Sequence, residues 1–188
     1  MPHPDQLRWD TRYSQEKRFD NLRPRKFLVE FAELLPRTGL ALDAAMGLGK
    51  NAEFLILRGL RVIGVEISEV ALFSAKQALP RLMAVQADMG QFWLPDSMFD
   101  VIINFYFLER SLYSVYTRAL KPGGILIFQT LTQEMRQVHP EIEPNYLLEQ
   151  GELVHAFPYL ETLVYREGWI KENEHTRPVA SLIARKSL

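Results

Sequence analysis

An acid at the end of a short apolar run, followed at once by a glycine-rich turn and a helix, constrains this chain more than any other feature. Leu40-Ala41-Leu42-Asp43-Ala44 reads as a buried strand. Met46-Gly47-Leu48-Gly49 reads as a turn, and Asn51 to Leu57 as a helix closed by Gly59. Strand, paired glycines and helix in that order form the ligand-cradling unit of α/β proteins. The glycines let backbone approach a ligand with no Cβ in the way. Gly47-Leu48-Gly49-Lys50-Asn51-Ala52 satisfies the dinucleotide pattern G-x-G-x-x-A. A P-loop is excluded: Ala44 stands where the first glycine belongs, and Asn51 follows Lys50 where Ser or Thr must ligate magnesium.

The remainder of the chain extends the same alternation. An amphipathic helix is expected over Phe27, Leu28, Phe31, Leu34 and Leu35, ended by Pro36 and Gly39. Val62 to Glu66 is a second strand, and Ser68 caps a helix that Pro80 stops. Leu82 to Gln86 is a third strand. Phe99 to Phe105 is a fourth, apolar almost throughout, as a central parallel strand is. Leu112 to Leu120 is helical, Lys121-Pro122-Gly123-Gly124 a tight turn, and Ile125 to Gln129 a fifth strand. Residues 132–146 carry no clear period. A short helix spans Glu152 to Phe157. The last two strands, Leu163-Val164-Tyr165 and Val179 to Ala184, are joined by a link too short for a crossover helix, so they run antiparallel. The pattern is an α/β fold with a mostly parallel sheet and helices on both faces.

Three acids then select a ligand chemistry. Asp43, just before the turn, repels a pyrophosphate and suits a ligand bearing an ammonium group. Glu66 ends the second strand about twenty residues on, where an acid accepts from ribose hydroxyls. Asp88, after the third strand, is placed to accept from an adenine amino group. Ammonium, ribose diol and adenine occur on one frame in S-adenosylmethionine.

These residues resemble the ordered motifs of class I S-adenosylmethionine-dependent methyltransferases: Leu42 to Asn51, Glu66-Ile67-Ser68, Gln86-Ala87-Asp88-Met89 and Leu120 to Gly124. The resemblance runs from about Trp9 to Lys186. Asn104-Phe105-Tyr106-Phe107-Leu108-Glu109-Arg110 and Asn145 to Leu148 look like the tellurite-resistance and thiopurine-methyltransferase-like branch. One departure stands out: Ala45 takes a place where the family usually has glycine.

The resemblance implies a Rossmann-like seven-strand sheet with the last strand antiparallel. Residues 1–36 would form a helical lid and residues 37–188 one methyltransferase domain. Asp43 would face the methionine amino group, Gly47 and Gly49 pass under the ligand, Glu66 hold the ribose and Asp88 the adenine. Ala45, Asn51, Ile67, Met89 and Phe105 complete the cofactor set. Trp9 and Tyr13, four apart on one helical face, would close the lid. Asn104 and Tyr106 would flank the methyl donor, and Arg110 would hold an anionic acceptor. Arg136 and His139 are weaker candidates for that task.

Composition narrows the classes further. The 188 residues include no cysteine, which removes disulfides, thiolate nucleophiles and cysteine metal sites. The histidines have no ligand spacing, so no metal is expected. A net charge of −1 gives no basic field for nucleic acid or an anionic membrane. With no signal peptide and no apolar run near twenty residues, a cytoplasmic protein is expected, monomeric or homodimeric, acting on a small molecule. Two rival readings stay open: a nicotinamide-dependent oxidoreductase, and a non-catalytic module that binds S-adenosylmethionine.

Overall fold

The computed structural model describes residues 4–15, 23–172 and 175–188. Residues 1–3 and 16–22 of the expected lid and residues 173–174 of the last connection lie outside the described residues. The chain divides into two compact units, Met1–Trp93 and Leu94–Leu188. Its seven strands form one sheet in the order β3-β2-β1-β4-β5-β7-β6.

The first unit contains α1 (Pro4–Gln15), α2 (Lys26–Glu30), β1 (Leu40–Ala44), α3 (Lys50–Leu57), β2 (Arg61–Glu66), α4 (Glu69–Ala78) and β3 (Met83–Gln86). β1 pairs in parallel with β2, and β2 with β3. All five β1 residues are buried, which explains their near-continuous apolar sequence. The expected helix over 27–35 is broken. α2 stops at Glu30, and Ala32–Leu34 continue as a 3-10 turn. Leu35 is extended because it precedes Pro36, whose ring disfavours a helical residue before it. That leaves room only for the tighter turn. Ser68 caps α4 as its sequence suggested, its hydroxyl accepting the Ala71 N–H at 3.1 Å.

The second unit contains β4 (Phe99–Phe105), α5 (Leu112–Ala119), β5 (Leu120–Leu131), α6 (Glu152–His155), β6 (Leu160–Glu172) and β7 (His175–Lys186). β4 and β5 are parallel, while β7 runs antiparallel to both β5 and β6. The last strand is thus antiparallel, as expected. The Lys121–Gly124 turn is not a separate connection. It is a bulge within β5, where the pairing jumps from Phe99 with Leu120 to Val101 with Ile125. The final hairpin is far longer than its apolar centre suggested. β6 and β7 stay paired from Leu160 opposite Lys186 to Glu172 opposite His175. The unpatterned stretch folds as two 3-10 turns, Gln133–Gln137 and Pro144–Tyr146. Tyr113, Phe128 and Phe157 pack ring against ring, with centroids 5.1–6.0 Å apart. Among the described residues, no helix is long and apolar enough to cross a membrane.

Candidate functional site

In the first unit, the carboxyl ends of β1 and β2 bring two acids to the glycine turn. Asp43 is 1% exposed, and its Oδ2 has no hydrogen-bond partner among the described residues. Burial pushes its pKa up to about 8, and the Glu66 charge adds to the rise, against the Ala52 N–H and Arg25. Glu66 is buried too, and burial raises its pKa. Its Oε2 accepts the Gly47 N–H at 2.8 Å and its Oε1 the Ser68 N–H at 2.9 Å. One carboxylate thereby ties the glycine turn to the start of α4.

The turn itself is built on left-handed residues. Ala45, Gly47 and Gly49 have φ of +52°, +56° and +72°. Ala45 alone of the three carries the Cβ that makes this conformation unfavourable. At Gly47 a Cβ would stand 2.7 Å from the Tyr13 hydroxyl, so a side chain there would push the Tyr13 ring aside besides straining the left-handed backbone. Helix α1 thus lays Tyr13 directly on the turn. Trp9 stacks on Tyr13 with ring centroids 5.6 Å apart. Asp10 fastens the helix: its Oδ1 accepts the Ser68 hydroxyl at 2.6 Å and the Val70 N–H at 3.2 Å.

The remaining expected cofactor residues of this unit have local tasks. Asn51 Oδ1 accepts the Arg25 N–H at 2.9 Å. Ile67 offers its carbonyl to Gln86 at 3.4 Å. Asp88 closes its own turn, accepting from the Gly90 N–H and the Gln91 side chain at 2.9 and 3.1 Å. Met89 is buried, 2% exposed.

In the second unit, Asn104 ends β4 with both sides of its amide engaged. It donates to the Phe107 carbonyl at 2.7 Å and accepts the Tyr116 hydroxyl at 3.1 Å. Phe105 is buried beside it. Tyr106 takes a left-handed φ of +58°, its N–H held by the Gln129 carbonyl at 2.8 Å. Strained residues of this kind persist where the surroundings over-determine them. Arg110 is expected to meet an acceptor, yet the chain takes four of its five N–H groups. Two make a fork onto Glu152 at 2.7 and 2.8 Å, and two reach the carbonyls of Asn145 and Leu147. The Tyr113 hydroxyl joins the same carboxylate at 3.1 Å. His139 pairs with Glu141 in the exposed loop, and Arg136 is exposed there.

Sequence reasoning missed the docking acid Asp10 and the polar group Gln129, Thr132, Arg177 and Ser181 in the second unit. One signal was legible: Gln129 and Thr130 follow the apolar run of residues 125–128 near the end of β5.

An ammonium-bearing ligand fits the first unit. Asp43 offers a buried acceptor that the chain leaves unpaired, and an anion there is costly until a cation or donor meets it. Comparison with known proteins agrees in kind. Residues 42–128 match the family model described as a methyltransferase domain. The trans-aconitate 2-methyltransferase of Acidovorax sp. (strain JS42) is 30% identical over 145 residues, 71% of this chain and 55% of that protein. A probable S-adenosylmethionine-dependent methyltransferase of Mycobacterium tuberculosis (strain ATCC 25618 / H37Rv) is 28% identical over 113 residues, 56% of this chain and 41% of that one. The chain therefore spans between two fifths and just over half of these curated relatives. The crystal structure of TehB from Haemophilus influenzae superposes with a TM-score of 0.75 at 17% identity, covering 95% of this chain and 67% of that one. The matched segment 42–128 is similar to a methyltransferase domain, and the strand order and superposition show the fold of class I S-adenosylmethionine-dependent methyltransferases.

Proposed function

We propose that this chain transfers a methyl group from S-adenosylmethionine to a small-molecule acceptor. The observation that carries the reading is the unpartnered, fully buried Asp43 oxygen at the glycine turn. In this reading residues 1–36 act as a cap on a domain of residues 37–188. Asp43 holds the amino group of the ligand, and the Gly47–Gly49 backbone runs beneath it. Glu66 keeps lone pairs for ribose hydroxyls after accepting from Gly47 and Ser68. Asp88 serves the adenine, and Ala45, Asn51, Ile67, Met89 and Phe105 frame the remainder.

The bound sulfonium would supply an electrophilic methyl and leave as a neutral thioether, so the chain need not protonate a leaving group. What its residues supply is alignment, worth roughly 7–11 kcal/mol in well-oriented systems. Trp9 and Tyr13 exclude water from the turn and offer aromatic faces to a cation, worth about 0.5–2 kcal/mol each. Asn104 and Tyr106 shape the acceptor side. For Arg110 the fork to Glu152 favours a positioning role, fixing residues 145–152, over direct contact with the acceptor. The relative's name puts carboxylates among the acceptors to be tried.

Thermal shift with S-adenosylhomocysteine, NAD and NADP tests the ligand. Selective stabilisation by the homocysteine nucleoside is expected, and selective stabilisation by a nicotinamide would make the chain an oxidoreductase. Transfer of labelled methyl to a panel of thiols, oxyanions, phenols and carboxylates, trans-aconitate included, tests the chemistry. Tight nucleoside binding with no transfer to any of them would leave a binding module in place of an enzyme.

A further inference from the structure

The carboxyl ends of β4 and β5 hold a polar cluster with too few partners. Gln129 is 2% exposed, in register with Phe105 on one side and Ser181 on the other. Its amide nitrogen donates to the Ser181 hydroxyl at 2.7 Å, while its Oε1 has no partner among the described residues. Three residues on, Thr132 is equally buried, and its hydroxyl is also unpartnered. The Thr132 N–H reaches the Pro178 carbonyl at 3.2 Å, which holds this strand end beside Arg177. The Arg177 guanidinium lies over the Tyr106 ring, 5.8 Å from its centroid. Tyr106 is the strained residue whose N–H is fixed by the Gln129 carbonyl. No carboxylate among the described residues pairs with Arg177.

A lone buried acceptor and a lone buried hydroxyl each lose their hydration with nothing in return unless something meets them. Both lie at the strand ends where open α/β sheets bind ligands. We propose that Gln129, Thr132 and Arg177 form an anchoring site for a small carboxylic acid that also bears a hydroxyl or other hydrogen-bond donor. Arg177 faces the carboxylate, with its guanidinium plane set by the Tyr106 ring. The Gln129 side-chain Oε1 takes the ligand's donor, and the Thr132 hydroxyl serves a second ligand oxygen. That this acid is the methyl acceptor rests on the function proposed above; that it binds does not.

Calorimetric titration of the full chain with malate, citrate and trans-aconitate, each beside its methyl ester, tests the site with and without S-adenosylhomocysteine. At least one free acid is expected to bind 10-fold or more tighter than its ester. Arg177→Gln is expected to erase that preference while S-adenosylhomocysteine affinity is unchanged. Gln129→Met is expected to remove the preference for malate over succinate, which lacks the hydroxyl. Equal affinity for acids and esters would overturn the proposal, as would a malate-to-succinate ratio indifferent to Gln129→Met. Loss of nucleoside binding with acid binding intact would instead overturn only the methyltransferase reading.

Discussion

At the residue scale, Ala45 shows a sequence departure turned into strain. Its φ of +52° is a region that L-residues enter at a cost of roughly 1–2 kcal/mol. Glycine would remove that cost and add back part of it as chain entropy in the unfolded state. Ala45→Gly is therefore expected to stabilise the protein by about 0.5–1 kcal/mol in urea unfolding. A destabilised variant would show that the methyl makes a contact outweighing the strain. Gly47 is the opposite case. Tyr13 occupies the space a side chain would need, so the turn and the helix above it are matched to one another.

At the element scale, α1 is held to the first unit by few anchors. None of its described residues is buried, so its docking leans on Asp10, Trp9 and Tyr13 more than on a hydrophobic face. Asp10→Ala removes the acceptor of the Ser68 hydroxyl and the Val70 N–H. A lost cap of this kind costs about 1–2 kcal/mol, equivalent to a 5- to 30-fold shift in a local equilibrium. Hydrogen exchange is expected to lose that much protection at Val70 and Ala71. Trypsin is expected to cut faster at Arg8 and Arg12, with the far β6–β7 hairpin unaffected. Unaltered exchange and cutting would mean that the aromatic stack alone docks the helix. In the second unit, Arg110 plays a comparable part for the segment from Asn145 to Glu152. Partial exposure of that fork keeps its contribution small, about 1 kcal/mol.

For the whole molecule, near balance between 22 basic and 23 acidic residues keeps net repulsion low. Stability against pH then depends on the buried acids. Asp43 has an ordinary pKa of 3.8 when unfolded and about 8 when folded. The folded state keeps a proton that the unfolded state releases, so the contribution is complete below about pH 4. It is lost as pH rises through about 8, and Glu66, also raised, acts in the same sense. Unliganded protein is accordingly expected to lose stability between pH 5 and 8 in denaturant titrations. Affinity for S-adenosylhomocysteine is expected to rise over the same range, because only the Asp43 anion balances an ammonium. Asp43→Asn should flatten both profiles. A nucleoside affinity that fell as pH rose would place the amino group elsewhere.

The order of strands and helices, the glycine turn with its two acids, the Ser68 cap and the antiparallel last strand were all legible in the chain. Each depends on local chemistry: apolar runs, turn residues, and side chains that cap their own neighbours. Other features came only with tertiary structure. The helix at 27–35 shortened because Pro36 fixed the residue before it. The Lys121–Gly124 turn became a bulge because β4 continued to pair on both sides of it. Asn104 and Arg110, polar residues that looked available in sequence, found partners 12 and 42 positions away. Asp10 and Gln129 gained meaning from residues 58 and 52 positions distant. Whether a polar group is satisfied or left waiting for a ligand depends on what the folded chain brings within 3 Å of it, and no local pattern encodes that distance.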